Sequence, residues 1–416
     1  MKIARQKIYY TNFIFSFLKS FFSKKVQKAK TKINTFFLLK YGVRPIFIGR
    51  ARSGIFLAVK YGLDKSNKRK VCLMSPLTIM DLVNMVFSAG AKPEFYDFLP
   101  SSFSIDLKSI ERRFKKGDIS SMIITHYHLI DDSIFDLKQI CKAHNVLLIE
   151  DCAISIGSQL KGRESGSFGD IAIFSFSLFK FINFLWGGVV IANSKSAHQY
   201  IVSATNKWEP LSFLDYQDQL FKYFKYGFFT IKLVYELVFH IFRWGLKHNI
   251  PFIKKNMQND PFVPLNHPMD KTYLSAPHDA FYIELASKIG RFYQELEERR
   301  IKAHYLFSAL EPYGVNFMTQ DLKIKDASMI NYPLIFNSEL ERNNVVMHLL
   351  DFGVDTSTQI YRNIHSINGY KGIKGESSNI NSMIKRMIFI PIHRAVSLDS
   401  TIKIALILRK FLDNND

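Results

Sequence analysis

The sequence predicts an α/β fold: a mostly parallel central sheet layered with helices, followed by a smaller C-terminal α+β domain. Three observations carry this. From about residue 50, short apolar runs alternate with helix-like segments of about ten residues, the rhythm of βαβ units. That rhythm stops at 205–275, an aromatic-rich stretch, and a different mixture of helix and strand signals follows it. The chain has 416 residues, 47% of them hydrophobic, which is material for a large core and excludes disorder of the whole.

The elements follow in order. Buried-strand signals are KVCLMSP near 71–76, PEFYDF at 93–98, SSMIITH at 120–126, VLLIE at 146–150, IAIFSFS at 171–177 and GGVVIAN at 187–193. Helix-like segments lie at 54–62, 80–89, 107–114 and 133–144. A long helical pattern runs over 281–310, and then come MINYPLIF at 329–336, a helix at 340–352 and a Gly/Ser/Asn-rich loop at 366–379. The strand MIFIPIH at 387–393 and a helix at 398–412 complete the chain. This divides it into a basic N-terminal arm (1–48), a large domain (49–204), an aromatic insertion (205–275) and a long helix with a small domain (276–416). There is no internal repeat.

Charge is concentrated at the start. The 56 Lys and Arg against 36 Asp and Glu give +20. Residues 1–63 hold 14 basic residues and no acid, leaving 42 basic against 36 acidic, or +6, for the other 353. The uncharged run between Lys7 and Lys19 is 11 residues, too short to span a bilayer as a helix, and no small-x-small cleavage site follows it. Two readings of the arm stay open: a cationic arm on an anionic membrane surface, or a basic helix packed on the protein's own body. No recognisable nucleic-acid-binding motif accompanies it, and no nucleic-acid partner is expected. Three cysteines, Cys72, Cys141 and Cys152, with no CxxC or Cys/His spacing, indicate neither a disulfide framework nor a metal site and favour a reducing, cytoplasmic compartment.

In such sheets ligands bind beyond the carboxyl ends of the strands, so polar residues ending strands draw attention. VLLIEDCAISIG ends a strand with Glu150 and Asp151, and some thirty residues on come Ser175, Lys180 and the pair Gly187-Gly188. A lysine just past a buried strand, across the sheet from a strand-end aspartate, suits pyridoxal 5'-phosphate. The amine bonds the cofactor aldehyde, and the carboxylate keeps the pyridine nitrogen protonated.

The ordered set resembles the DegT family of PLP-dependent sugar aminotransferases. It comprises RSGIFLAVKYGL, SPLTIMDLVNMVFSAGAKPEFYDF, IITHYHLIDDSIFDLKQICKAHNVLLIEDCA, KGRESGSFGDIAIFSFSLFKFINFLWGGVVIAN and FIPIHRAVSLDSTIKIALILRKFL. The resemblance implies a three-layer fold-type-I PLP-transferase. It implies Lys180 as the Schiff-base lysine, Asp151 as the pyridinium partner, Ser175 on the cofactor phosphate, and Gly54 and Ile55 at a Gly-Thr pair whose amides hold that phosphate at a helix N-terminus. The chain departs from the pattern in carrying Ile55 for the threonine, Ile154 for a glutamine, Thr78-Ile79 where an aromatic stacks on the ring, and Ser177 for a histidine. The asparagine that reaches the phosphate from the other subunit in many members has no clear match.

By resemblance the expected function is transamination of a nucleotide-linked keto sugar with an amino-acid donor such as L-glutamate, for amino-sugar or surface polysaccharide biosynthesis, in a homodimer. One rival is another PLP reaction such as sugar deoxygenation, against which Lys180 counts, because relatives with that chemistry carry histidine there. The other is a non-enzymatic, membrane-associated relative acting as a binding module. His126 and His128 flank a strand end, His393 follows IFIPI where the small domain approaches the site, and the run Glu297-Glu298-Arg299-Arg300 reads as a solvated helix face. In 220–247 the residues Lys222, Lys225, Lys232, Glu236, Arg243 and Lys247 share one helical stripe, with aromatic and aliphatic residues elsewhere. That reads as one helix lying in a membrane interface, or one packing its apolar face on protein. A peripheral contact with the inner face of the membrane is expected.

Overall fold

The computed structural model describes residues 2–4, 13–66, 68–127, 129–248, 250, 262–317, 321–358 and 362–414, so His128 lies outside it. The central sheet contains β1 (Ile46–Ile48), β2 (Val71–Met74), β3 (Lys92–Phe95), β4 (Ile119–Thr125) and β5 (Leu147–Asp151). After a small hairpin of β6 (Gln159–Leu160) and β7 (Arg163–Glu164) come β8 (Ile171–Ser175) and β9 (Gly188–Ala192). With β11 (Lys374–Gly375) the order is β1-β9-β8-β5-β4-β2-β3-β11. Strands β8, β5, β4, β2, β3 and β11 are parallel, while β9 pairs antiparallel with both β8 and β1. Parallel strands are buried on both faces, which is why they read as unbroken apolar runs.

Alternation along each strand sorts the core. Ile123, Ile149, Ile173 and Val190 face α3 (Ala51–Ser66), α4 (Met80–Ser88) and α7 (Lys195–Thr205). Met122, Ile124 and Leu148 face α5 (Leu107–Phe114) and α6 (Ile134–Ala143) on the other side. This is a three-layer domain with the fold-type-I architecture.

The N-terminal arm is built into it. Helix α1 (Phe13–Ser20) leads to α2 (Ser23–Tyr41), which buries Val26, Ala29, Ile33 and Phe37 along one face. Ile33 and Phe37 are wholly buried. At roughly 1.5–3 kcal/mol for each large apolar side chain, this anchors the helix; Lys24, Lys25, Lys28 and Lys32 stay outside, while Lys40 turns in to pair with Glu164.

Two long helical signals are interrupted. The stretch 281–310 is α10 (Asp279–Ile289) and α11 (Phe292–Leu310), separated at Gly290 and Arg291. The stretch 220–247 is not one helix but α8 (Gln217–Phe229) and α9 (Lys232–Lys247), separated at Thr230 and Ile231. The small domain pairs β10 (Asn331–Ile335) antiparallel with β12 (Met387–Pro391) and packs them with α11, α12 (Glu339–Asp351) and α14 (Leu398–Asp413). The short α13 (Ser378–Ile384) closes over the sheet face occupied by α5 and α6.

Candidate active site

The carboxyl ends of β4, β5 and β8 bring Thr125, Asp151 and Ser175 to one edge of the sheet, with Thr125 opposite Asp151 in register. Asp151 is buried. Its Oδ1 accepts from the Ala153 amide at 3.0 Å, and its Oδ2 accepts from the Thr125 hydroxyl at 3.5 Å. Burial pushes the Asp151 carboxyl above its ordinary value, and the Ala153 amide and the Lys180 charge pull it back. Aspartate and lysine are therefore within electrostatic reach, although 29 positions apart in sequence.

Lys180 lies in the turn after β8. That turn is closed by the Phe176 amide on the Gly187 carbonyl and the Lys180 amide on the Ser177 carbonyl, both at 3.0 Å. Ser175 stands opposite Gly188 in the β8–β9 register. A Cβ on Gly188 would come within 2.8 Å of the Ala51 Cα, so only glycine lets strand β9 meet the first residue of α3. Gly187, at φ +150°, faces Phe281 in the space where a side chain would sit. Ser175, Gly188 and the start of α3 thus form a row across the sheet edge.

Helix α3 begins at Ala51, so the amides of 50–53 lie outside its i to i−4 ladder, and that of Ser53 donates to the Arg50 carbonyl at 3.1 Å. Gly54 and Ile55, the phosphate-binding pair implied by the resemblance, lie further along the helix. A Cβ on Gly54 would meet Ile48, Val190 and Ile173 at 3.0–3.1 Å, and the Ile55 side chain is 1% exposed in the core. The helix start is cationic. The Arg50 guanidinium lies 3.3 Å from the Trp186 ring centre and 4.7 Å from that of Tyr273, and it donates to the Thr272 hydroxyl at 2.6 Å. Burial, then the neighbouring Arg52 charge, pull Arg50 down to about 10. Arg52 pairs with Asp81 and donates to the Tyr273 hydroxyl. Sequence reasoning passed over Arg50; its position between Gly49 and the helix was the available signal.

The other candidates are placed as follows. His126 Nε2 lies 2.8 Å from Glu150 Oε2, both buried, so this histidine is engaged on the face opposite Asp151. Glu150 also accepts from the amides of Gly166, Phe168 and Gly169. Burial alone would raise its carboxyl, but His126 and these amides hold it below the usual range. One potential ligand atom each of His126, Glu150 and Cys152 falls within 4.8 Å of the others, yet the amides and His126 already account for the buried charge without an ion. His393 Nε2 sits 2.9 Å from the Ala4 carbonyl, held by the N-terminus. Arg299 is no solvated residue: it is 7% exposed and donates to the carbonyls of Met329 and Ile330. Ile154 packs against the apolar cluster beneath α5 and α6, and Ile79 is 40% exposed.

Comparison with known proteins bears on this geometry. Residues 46–207 match the DegT/DnrJ/EryC1/StrS aminotransferase family. That segment is similar to the family over 162 of the chain's 416 residues. The match contains the whole edge described above, from β1 through Asp151, Ser175, Lys180 and Gly188. A curated relative, the UDP-4-amino-4,6-dideoxy-N-acetyl-beta-L-altrosamine transaminase of Campylobacter jejuni, is 35% identical over 130 residues, 31% of this chain and 34% of that protein. The aligned region thus spans about a third of the relative's length. Among solved structures, Helicobacter pylori PseC, an aminotransferase involved in pseudoaminic acid biosynthesis, superposes with TM-score 0.70 at 15% identity, covering 100% of both chains. A GDP-4-keto-6-deoxymannose-3-dehydratase with a trapped PLP-glutamate geminal diamine superposes with TM-score 0.70 at 13% identity, covering 98% of this chain and 100% of that one.

DegT-family aminotransferases depend on pyridoxal phosphate. The donor set at this sheet edge fits that group. It offers a buried carboxylate, an amine within its electrostatic reach, a strand-end hydroxyl, and a helix start brought against that strand edge by a glycine.

Proposed function

We propose that the chain is a PLP-dependent aminotransferase that moves an amino group from an amino acid, with L-glutamate the candidate donor, to the ketone of a nucleotide-linked sugar, for amino-sugar or surface polysaccharide biosynthesis. The observation that carries this is a buried strand-end Asp151 beside Thr125 and Ser175 at the carboxyl edge of the sheet, within electrostatic reach of Lys180 in the turn after β8. Bound cofactor would supply an electron sink for carbanion chemistry at the amino-bearing carbon. Asp151 would face the ring nitrogen and favour its charged form. Lys180 Nζ would hold the cofactor and, as a free amine, carry the proton between donor and acceptor carbons. Ser175 and the first-turn amides of α3 would hold the phosphate, with Arg50 and Arg52 adding positive charge at that helix end.

The proposed assembly is a homodimer, extended from the family resemblance. The proposed location is the cytoplasm, with peripheral contact to the inner face of the membrane. The exposed lysines of α2 support such contact, and no helix of the described residues is long and apolar enough to cross a membrane.

Purified protein incubated with PLP should acquire a visible absorption band that L-glutamate bleaches, with release of the 2-oxo acid. A panel of keto-sugar nucleotides should then restore the band only where an aminated product forms. Protein that takes up no cofactor would favour the reading as a binding module, for which the core position of Ile55 is the supporting observation.

A further inference from the structure

Helix α9 is amphipathic, buries Phe239, and is also held to the body through several polar residues. Its polar residues are tied to the body: Arg243 and Lys247 reach Asp351 of α12 at 2.6 and 2.8 Å, and Lys2 bonds the Glu236 carbonyl and the His240 ring at 2.9 Å each. The outward side carries Leu233, Leu237, Ile241 and Trp244, spaced four, four and three apart and 57–70% exposed. Of the stripe read in the sequence as facing lipid headgroups, Arg243 and Lys247 on α9 are thus held at Asp351, Lys222 and Lys225 on α8 stay exposed, and an aliphatic side of α9 faces out. Next to it, α8 exposes Phe221 at 70% and Phe228 at 52%. The turn before α8 contacts α1 through Phe213 and Phe17, ring centres 4.9 Å apart, and Phe21 beyond α1 is 84% exposed. Exposed apolar surface on this scale marks a covered face.

We propose that this face docks on an anionic lipid surface. The inference rests on the proposed peripheral location and adds the face that makes the contact. Charge decides between a bilayer and a second copy of the chain. Residues 13–48 contain eight basic residues and no acid, with Lys19, Lys24, Lys25 and Lys28 exposed beside the aromatic rim, and Lys222 and Lys225 exposed on α8. A two-fold contact built on this rim would set lysines against lysines, whereas anionic headgroups complement them. A Trp- and Leu-bearing helix held rigidly by its polar side presents the apolar stripe that an interfacial helix buries in the headgroup boundary. The two elements act together, so binding to a common surface exceeds that of either alone.

The test is co-sedimentation of the full chain with vesicles of phosphatidylcholine mixed with phosphatidylglycerol, and with phosphatidylcholine alone. The protein should pellet with the mixed vesicles only, and salt should release it. The triple variant Leu237→Ser, Ile241→Ser, Trp244→Ser changes exposed side chains only, and should keep its melting temperature while partitioning at least tenfold less. Lys24→Gln with Lys25→Gln should lower the salt concentration needed for release. If the lysine changes abolish binding and the triple variant binds like the parent, peripheral attachment stands and this face is overturned as its seat. If the intact chain pellets with neither vesicle, both the location and the face are overturned. If the triple variant loses self-association in analytical ultracentrifugation but keeps full vesicle binding, the face belongs to a second copy and the proposal falls. None of these readouts depends on cofactor, so the catalytic reading is judged separately by its absorption band.

Discussion

The Arg299 guanidinium stands 4.3 Å from the ring centre of Phe181, the residue next to Lys180. The same arginine donates to the Met329 and Ile330 carbonyls at 3.0 and 3.1 Å, and Arg300 donates to Gly157 and Ala327 at 3.1 Å each. One turn of α11 therefore ties together the lysine's loop, the loop that follows Asp151, and the segment entering the small domain. Arg299→Leu leaves two carbonyls without donors and should cost about 2–3 kcal/mol in thermal or denaturant unfolding. Arg299→Lys keeps the charge but not the planar fork over Phe181, and should lower kcat roughly tenfold with cofactor still bound, because small misplacements of a reacting group are costly. Equal kcat in parent and Lys variant would remove the positioning role.

Glu150 is predicted to be a stability residue. Glu150→Gln replaces an acceptor-only group by one that must aim an NH2 at backbone amides or at His126, at a cost of about 2–3 kcal/mol. The pH dependence has a definite sign. The folded carboxyl lies below its unfolded value, so its contribution is complete above the ordinary carboxylate value and is lost as pH falls through the folded one. Unfolding curves measured across the acid range should flatten in the variant, and parallel slopes would count against the assignment.

For Asp151, the substitution to Asn removes the charge facing the ring nitrogen while preserving shape. Turnover should fall on the order of a hundredfold or more, in line with loss of a preorganised electrostatic partner. Unchanged turnover would mean that another acid serves the ring.

Ile55→Thr separates two views of the phosphate site. The family resemblance makes threonine the restoring residue. The structure puts this side chain 1% exposed in the core, past the first turn of the helix at 51–53. The expected outcome is therefore a loss of about 1–3 kcal/mol from burying a hydroxyl, with no gain in cofactor retention on dialysis. Slower cofactor loss in the variant would return the site to Gly54 and Ile55.

The large domain was legible because parallel strands bury both faces and print long apolar runs: β2, β4, β5 and β8 lie where those runs are. Strand β1, three residues, and β11, two residues, are too short to show periodicity. Asp151 and Lys180 stood out because each follows such a run. Arg299 did not, since a Glu-Glu-Arg-Arg run reads as solvated, and its burial depends on carbonyls at 329–330 that local sequence does not announce. The breaks at Gly290 and Thr230 were hidden by helical spacing that continues through them. The orientation of α9 was invisible for a related reason: amphipathicity defines two faces, and only Asp351 and Lys2, distant in sequence, decide which one turns inward.

Borohydride reduction of the PLP-loaded protein, followed by peptide mapping, tests the central claim most directly. The account predicts the pyridoxyl group on Lys180 and no label in Lys180→Ala. Label on a different lysine, or none after incubation with excess PLP, would contradict it.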